Sequence, residues 1–305
     1  MTSTRRAGLL LALTTAGISG VAIFLNGYGV RAFGNASAYT TAKNLVAAIV
    51  LLAVVALGSR TGARLTRPVG PRQWLALLVI GVIGGSVPFL LFFEGLARAS
   101  SAQSAFIHKT LVIWVAALAV PLLGEKLSGA HWVAIALLVG GQIGLVGGVT
   151  TRLGSGETMI VAATLLWSVE VVLAKRLLAG MSSWTIGVAR MGIGSVVLVV
   201  WAVVRGQAGL LVSMDRAQWG WVLLTGLILA AYVGTWFAAL ARAQAVDVTA
   251  VLVLAALVTA ALSAAVDGWV PGPQLGWLAM LLAGGGLLVW RAWRPADALT
   301  SAVVA

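Results

Sequence analysis

Apolar runs of membrane length, separated by short polar breaks, recur along the whole chain. A helix needs about 20 apolar residues to cross a bilayer. Such segments can be read at residues 8–29, 36–57, 73–93, 102–123, 129–149, 158–178, 184–204, 219–240, 246–265 and 273–291. The breaks between them are short, and the longest, GSRTGARLTRPVGPR, covers residues 58–72. The pattern predicts an all-α polytopic membrane protein of ten transmembrane helices, with no soluble domain, long linker or low-complexity segment.

Composition sharpens this picture. The 305 residues are 61% hydrophobic and 9% charged, whereas soluble domains are about a quarter charged. There is no cysteine, which excludes disulfides, thiol catalysis and cysteine-bound metals. With His108 and His131 as the sole histidines, a His/carboxylate metal site is not expected. No Walker loop, GxSxG or HExxH is present, so no cofactor and no ATP-driven or hydrolytic chemistry is expected. The net charge of +12 raises nucleic acid as a partner. The basic residues lie at the ends of apolar runs, however, and form no face mixed with exposed aromatics.

Their distribution predicts orientation. With the N-terminus inside, the cytosolic ends collect Arg5, Arg6, Arg60, Arg64, Arg67, Arg72, Lys126, Lys175, Arg176, Arg242, Arg291 and Arg294. The outer ends collect Arg31, Arg98, Arg152, Arg205 and Arg216. By the positive-inside rule both termini are cytosolic, in the cytoplasmic membrane of a bacterium. The opening TSTRRAGLLLA has some likeness to a secretory or twin-arginine signal. Its apolar run extends well past a short signal core, so it is read as a retained first helix.

The ten segments divide into two fives. FFEGLARASSAQSAF, from Phe92, parallels FAALARAQAVDVTAV, from Phe237, with LARA shared at Leu96–Ala99 and Leu240–Ala243. Lys43 and Arg190 correspond as lone cations about two turns into the second helix of each half. Five is odd, so the second half inserts upside down. The domains are then 1–150 and 151–305, two inverted five-helix repeats, the second with a short cytosolic tail. Inverted repeats around a midplane site are the architecture of many secondary transporters.

GLARASSAQSAFIHKTLVIWVAALAVPLLGEKLSGAHWVAIALLVGGQIGL, Gly95 to Leu145, resembles the signature of the EamA-like branch of the drug/metabolite transporter superfamily, including the pair Gly124 and Glu125. The resemblance implies a ten-helix exporter with a central cavity lined by the first four helices of each half, the fifth of each at the periphery. The second half departs from the pattern, with Asp267 and Gly268 where a Gly-Glu pair would recur.

Charged groups deep in a bilayer cost at least about 2.5 kcal/mol each and face protein or water. The short list of candidates is therefore Lys43, His108, Lys109, Glu170 and Arg190. Glu170 sits mid-helix and is held either ionised against a cation, such as Lys109, Lys43 or Arg190, or protonated. Either state serves a proton-coupled carrier. His108 titrates nearest neutral pH, with a structural hydrogen bond as the competing role. Lys109 is read as a cavity group, since it adjoins His108 and Thr110. His131 reads as interfacial beside Trp132. Glu125 and Lys126 read as a cap on the fifth helix, and Glu94 and Arg98 as a local i,i+4 pair.

Neutral groups join the list. Asn26, Tyr28 and Asn44 suit an outer vestibule, and Trp114 and Trp167 an aromatic wall for an amphipathic substrate. Gly84, Gly85 and Pro88 form a mid-helix hinge, because proline frees a carbonyl and permits a bend. Gly140, Gly144 and Gly148 form a ridge for close helix approach, within one chain or in a homodimer. The reading is a secondary active exporter of small organic metabolites, such as amino acids or amphipathic compounds, working by alternating access. The alternative is a non-transporting multi-pass protein, a lipid-modifying enzyme or a sensory module. No carboxylate–histidine cluster in a loop and no output domain favours it, and rings of like charge that would mark a channel are absent.

Overall fold

The computed structural model of the chain describes residues 3–58, 62–99, 101–145, 147, 154–267, 272 and 274–293. Arg60, Arg152, Arg294, Gly148 and Gly268 lie outside them. The described residues are helical, with no strand among them. The helices are α1 (Ser3–Phe33), α2 (Ala36–Ala56), α3 (Pro71–Ile83), α4 (Val87–Leu96), α5 (Ser101–Lys109), α6 (Leu111–Leu123) and α7 (Gly129–Leu145). There follow α8 (Ser155–Leu177), α9 (Ser183–Val204), the short α10 (Ala208–Val212), α11 (Arg216–Leu240), α12 (Ala245–Leu252), α13 (Ala255–Asp267) and α14 (Leu275–Trp293).

By length and composition, 8 spans are long and apolar enough to cross a membrane. They are α1, α2, α3 with α4, α5 with α6, α8, α9, α11, and α12 with α13. The fifth and tenth expected segments are apolar helices too, but shorter: Gly129–Leu145 and Leu275–Arg291. The hydrophobic pattern places every segment, and the ends differ by a few residues. At 31 residues, α1 is roughly 46 Å long, well beyond a hydrocarbon core of about 30 Å.

Three spans are broken, each by identifiable chemistry. Between α3 and α4 the chain passes through Gly84–Ser86. Pro88 has no N–H to offer the carbonyl of Gly84 four residues back. The indole Nε1 of Trp167 donates to that carbonyl instead, at 3.1 Å. Ser86 Oγ donates to the carbonyls of Gly81 and Val82, so the break carries its own repairs. The other breaks contain neither glycine nor proline. At Thr110 and at Val253–Leu254 the helix tightens into i→i+3 bonds, from Thr110 N to Ile107 O and from Leu254 N to Val251 O.

Packing exchanges partners between the halves. Helix α1 packs on α11 and α13 of the second half, and α8 packs on α4 and α6 of the first. Helix α2 packs on α11 and α9, and α9 packs on α3. Swapping the halves carries each contact onto another, as a two-repeat architecture demands. Helices α7 and α14 pair with each other. Gly141 abuts the backbone of Trp277 and Gly284 the carbonyl of Ala134; of the ridge, Gly140 meets Met280 and Gly144 the Trp277 ring, so these two are filled within the chain.

Contacts also sort the helix ends. Arg5 at the start of α1 meets Asp247 in α12, Ser182 before α9 bonds Arg64 and Thr66 in the loop after α2, and Arg176 at the end of α8 reaches Leu122 at the end of α6. Ser128, just before α7, is bonded by Arg291 of α14. These are the ends that the charge distribution assigns to one side.

Helix α3 with α4 lies so close to α9 that a Cβ at Gly85 would overlap the Arg190 carbonyl oxygen, whereas Gly192 on α9 faces open space. Gly85→Ala is expected to destabilise the fold by about 1–3 kcal/mol through overpacking. Gly192→Ala should be neutral or stabilising by up to about 1 kcal/mol, from helix propensity. Thermal unfolding in detergent compares the two.

Candidate functional site

The site forms between the halves, lined by α1, α2, α4, α5 and α6 of the first and α8, α9 and α11 of the second. The break at Gly84–Ser86 lets α8 and α9 come in close: a Cβ at Gly84 would meet the Glu170 side chain at 2.5 Å. Glu170 on α8 and Arg190 on α9 pair there, with Arg190 Nε donating to Glu170 Oε1 at 2.8 Å. They are 1% and 3% exposed. Ionised groups this far from water persist only when matched. Arg190 also faces the Phe89 ring at 5.2 Å. Of the three hinge candidates, Gly84 and Gly85 thus sit beside this pair, and their lack of a side chain admits it.

The corresponding pair of the first half is Lys43 with Asn26. Lys43 Nζ donates to Asn26 Oδ1 at 3.0 Å and lies 3.7 Å from the centroid of the Phe93 ring. Tyr39 Oη donates to the same Asn26 oxygen at 2.7 Å and lies 2.9 Å from Thr225 Oγ1 on α11. Both lone pairs of the Asn26 carbonyl are taken. The sequence shift that carries Leu96 onto Leu240 also carries Asn26 onto Glu170, and the break at Thr110 onto that at Leu254, and it brings Lys43 onto Gly187, three residues short of Arg190. Each half therefore presents a cation on its second span to an acceptor on its first, but one acceptor is a carboxylate and the other an amide.

Both pairs line one cavity of about 110 Å³. Its apolar wall is Phe89, Phe92 and Phe93 from α4, Trp167 from α8, and Tyr232 and Trp236 from α11. His108 of α5 also lines it, with ring contacts to Trp167 at 4.9 Å and Phe92 at 5.4 Å. Its Nδ1 has no hydrogen-bond partner among the described residues. A smaller neighbouring pocket shares Ile23, Asn26 and Phe92 and continues along Gly27, Leu96 and Ser104, toward the end of the bundle opposite Arg5. Residues 245–266 contribute nothing to the lining, so the cavity draws on fewer helices than the family resemblance implied.

The chain's two halves each match one family model, described as the EamA-like transporter family, over residues 6–147 and 154–291. The chain belongs to the EamA-like transporter family. That makes it an integral membrane protein of a transporter family. A Sinorhizobium protein described as "Uncharacterized transporter in cobO 3'region" is 29% identical over 101 residues, 32% of this chain and 71% of that one. A crystal structure shares the fold with a TM-score of 0.73 at 16% identity, covering 95% of this chain and 100% of that chain.

Other candidates of this EamA-like chain lie elsewhere. Lys109 is 4% exposed and lies outside the cavity lining. It points to Ser19 Oγ at 3.4 Å, and Ser19 lines the cavity. Asn44 is buried off the cavity with no partner among the described residues for either side-chain polar atom. Trp114 is on the outside of the bundle, its Nε1 donating to Thr110 Oγ1. Tyr28 stacks on Trp221.

Two local readings change. His131 is buried rather than interfacial: Nε2 is 3.2 Å from Asp247 Oδ1, and Nδ1 is held by Ser128. Glu125 does not cap the fifth helix. Its oxygens accept from the N–H groups of Ala245 and Val246, at 2.6 and 3.1 Å, so it caps α12 of the other half, where the helix dipole favours a carboxylate. Lys175 holds the same turn by donating to the Leu240 and Ala243 carbonyls.

Sequence reasoning passed over Tyr39, Phe89, Phe92, Phe93, Tyr232 and Trp236. For Phe89, Tyr232 and Trp236 the available signal was position, inside apolar spans and short of the ends where aromatic belts collect; Tyr39, Phe92 and Phe93 lie at span ends and gave no such signal.

Arg190→Met leaves Glu170 buried without its cation, and is expected to cost about 3–5 kcal/mol. The double variant Glu170→Gln with Arg190→Met should recover a large part of that loss. A double-mutant cycle by thermal unfolding in detergent tests it.

Proposed function

We propose that this chain is a secondary active exporter of small organic metabolites, working by alternating access between two inverted repeats of five spans, residues 1–150 and 151–305. The observation that carries this reading is the single cavity in which both halves place a buried cation and its acceptor. In this reading the short helices α7 and α14 are the fifth and tenth spans, at the periphery. Both termini are cytosolic, and the membrane is the cytoplasmic membrane of a bacterium.

Alternating access needs a seal that can open. The cluster of Arg5, Asp247 and His131 joins α1, α12 and α7 at the N-terminal end of α1, roughly 20 Å along the helix from Ser19. Glu125 and Lys175 fasten the adjoining turn. The pocket that continues toward the other end has no such ion cluster among its lining residues. The arrangement is that of a carrier closed on the cytosolic side.

Proton coupling is assigned to Glu170, with His108 beside it. A proton on Glu170 would release Arg190 to another acceptor, so that the Glu170 carboxylate and the substrate compete for one cation. In proteoliposomes with an outside-acid gradient, release of a loaded metabolite pool should depend on the gradient. Glu170→Gln with His108→Ala should abolish that dependence, and gradient-driven flux unchanged in the double variant would defeat the coupling.

The cysteine-free chain makes the seal testable. A single cysteine at Ser19 should react slowly with a membrane-impermeant thiol reagent added from the cytosolic side. Asp247→Asn should raise that rate at least about tenfold, since it removes the negative charge that holds Arg5 and faces His131.

A further inference from the structure

The two equivalent pairs in the cavity differ in charge, and that difference selects a ligand. Arg190 is neutralised by Glu170. Lys43, 2% exposed, has an amide oxygen and aromatic rings around it but no carboxylate.

No other acidic side chain that the structure describes lines the cavity. Glu94 pairs with Arg98, Glu125 caps α12, Asp215 caps α11, Asp247 holds Arg5 and His131, and Glu157 sits in the first turn of α8, against Gly154. The cavity thus holds two cations against one carboxylate, in surroundings where unmatched charge interacts strongly. Asn26 cannot supply the missing charge, and both lone pairs of its oxygen are occupied.

We infer that Lys43 is the subsite for the anionic group of an amphipathic organic acid, whose apolar body lies between Phe92, Trp167, Tyr232 and Trp236. This rests on the transporter reading and narrows it. The ligand is a net anion with one carboxylate, in preference to an amine or a zwitterion. An ammonium group would enter a cavity of the same sign and find its one carboxylate already held by Arg190. The aromatic faces would attract a cation elsewhere, but Lys43 and Arg190 already occupy those of Phe93 and Phe89.

The test uses three probes of one shape: 4-phenylbutyrate, 4-phenylbutan-1-ol and 4-phenylbutylamine. Binding to the full chain in lipid nanodiscs is measured by calorimetry, with empty nanodiscs subtracted. The acid should bind at least about tenfold more tightly than the alcohol, and the amine least. Lys43→Gln should remove the preference. Asn26→Asp should remove it too, because it gives Lys43 an internal counter-charge while keeping the oxygen that Tyr39 and Lys43 bond. It also guards against a misfolded Lys43 variant.

Absence of acid binding at millimolar concentration, an amine that binds as well as the acid, or a preference that survives Asn26→Asp overturns the inference. Flux of the same probes separates the two levels. Anion-selective binding with no gradient-driven movement of the acid tells against the transporter reading alone. Carriage of the amine without acid preference tells against the subsite alone.

Discussion

A carboxylate and a guanidinium can be held away from water only if they find one another and little else competes, and the centre of this bundle is organised around that requirement. Glu170 and Arg190 sit on adjacent helices, 20 residues apart in sequence. Their meeting needs room that an unbroken third span with ordinary side chains would fill. Gly84 and Gly85 vacate that room, Pro88 ends the first part of the span, and Trp167 bonds the carbonyl that Pro88 leaves free. The helix break, the ion pair and one wall of the cavity are therefore a single construction. Changing any member alters the solvation of the others.

The same demand explains why the charged groups are distributed as they are. In hydrocarbon each backbone polar group is satisfied within its helix, and buried hydroxyls here bond back to the preceding turn, as Thr15, Thr41, Thr164 and Ser168 do. Apart from Lys109, buried groups too highly charged for that solution gather in two places: the cavity, and the end of the bundle where Arg5, Asp247 and His131 meet. The first is built from side chains facing one another across a void. The second is built from contacts between helix ends, with Glu125 and Lys175 matched to the partial charges of helix termini. A cluster that depends on helix ends staying together is separable by tilting helices. A pair on adjacent helix faces moves with those helices.

How far the sequence revealed this depends on whether the signal is local. Apolar length located every span, though not the short α10, and Gly84, Gly85 and Pro88 marked the break in the third span, since glycine and proline act on their own backbone. The breaks at Thr110 and Val253–Leu254 carry no such residue, and they were not visible. Glu170 and Arg190 were recognisable because charge inside an apolar run needs a reason. Glu125 and His131 were placed by their position at a helix end, yet their partners lie more than a hundred residues away. Asp247 escaped notice for the same reason, standing near the start of its span.

The repeat supplies a last constraint. Duplicated halves that exchange packing partners make two arrangements of similar energy natural, and differences between the halves then bias the balance. Two differences are prominent. The turn after α11 is fastened by Glu125 and Lys175, whereas the first half's LARA turn carries the exposed pair of Glu94 and Arg98. The acceptor on the first span is Asn26 in one half and Glu170 in the other. The first difference strengthens one end of the bundle over the other, so the seal proposed at the N-terminal end of α1 rests on chemistry rather than on topology. The second leaves the cavity cationic on one side. A symmetric pair of carboxylates would have neutralised both cations and left nothing for a ligand to complete. The amide at position 26 makes the cavity a place where an arriving anion improves the electrostatics of the protein itself.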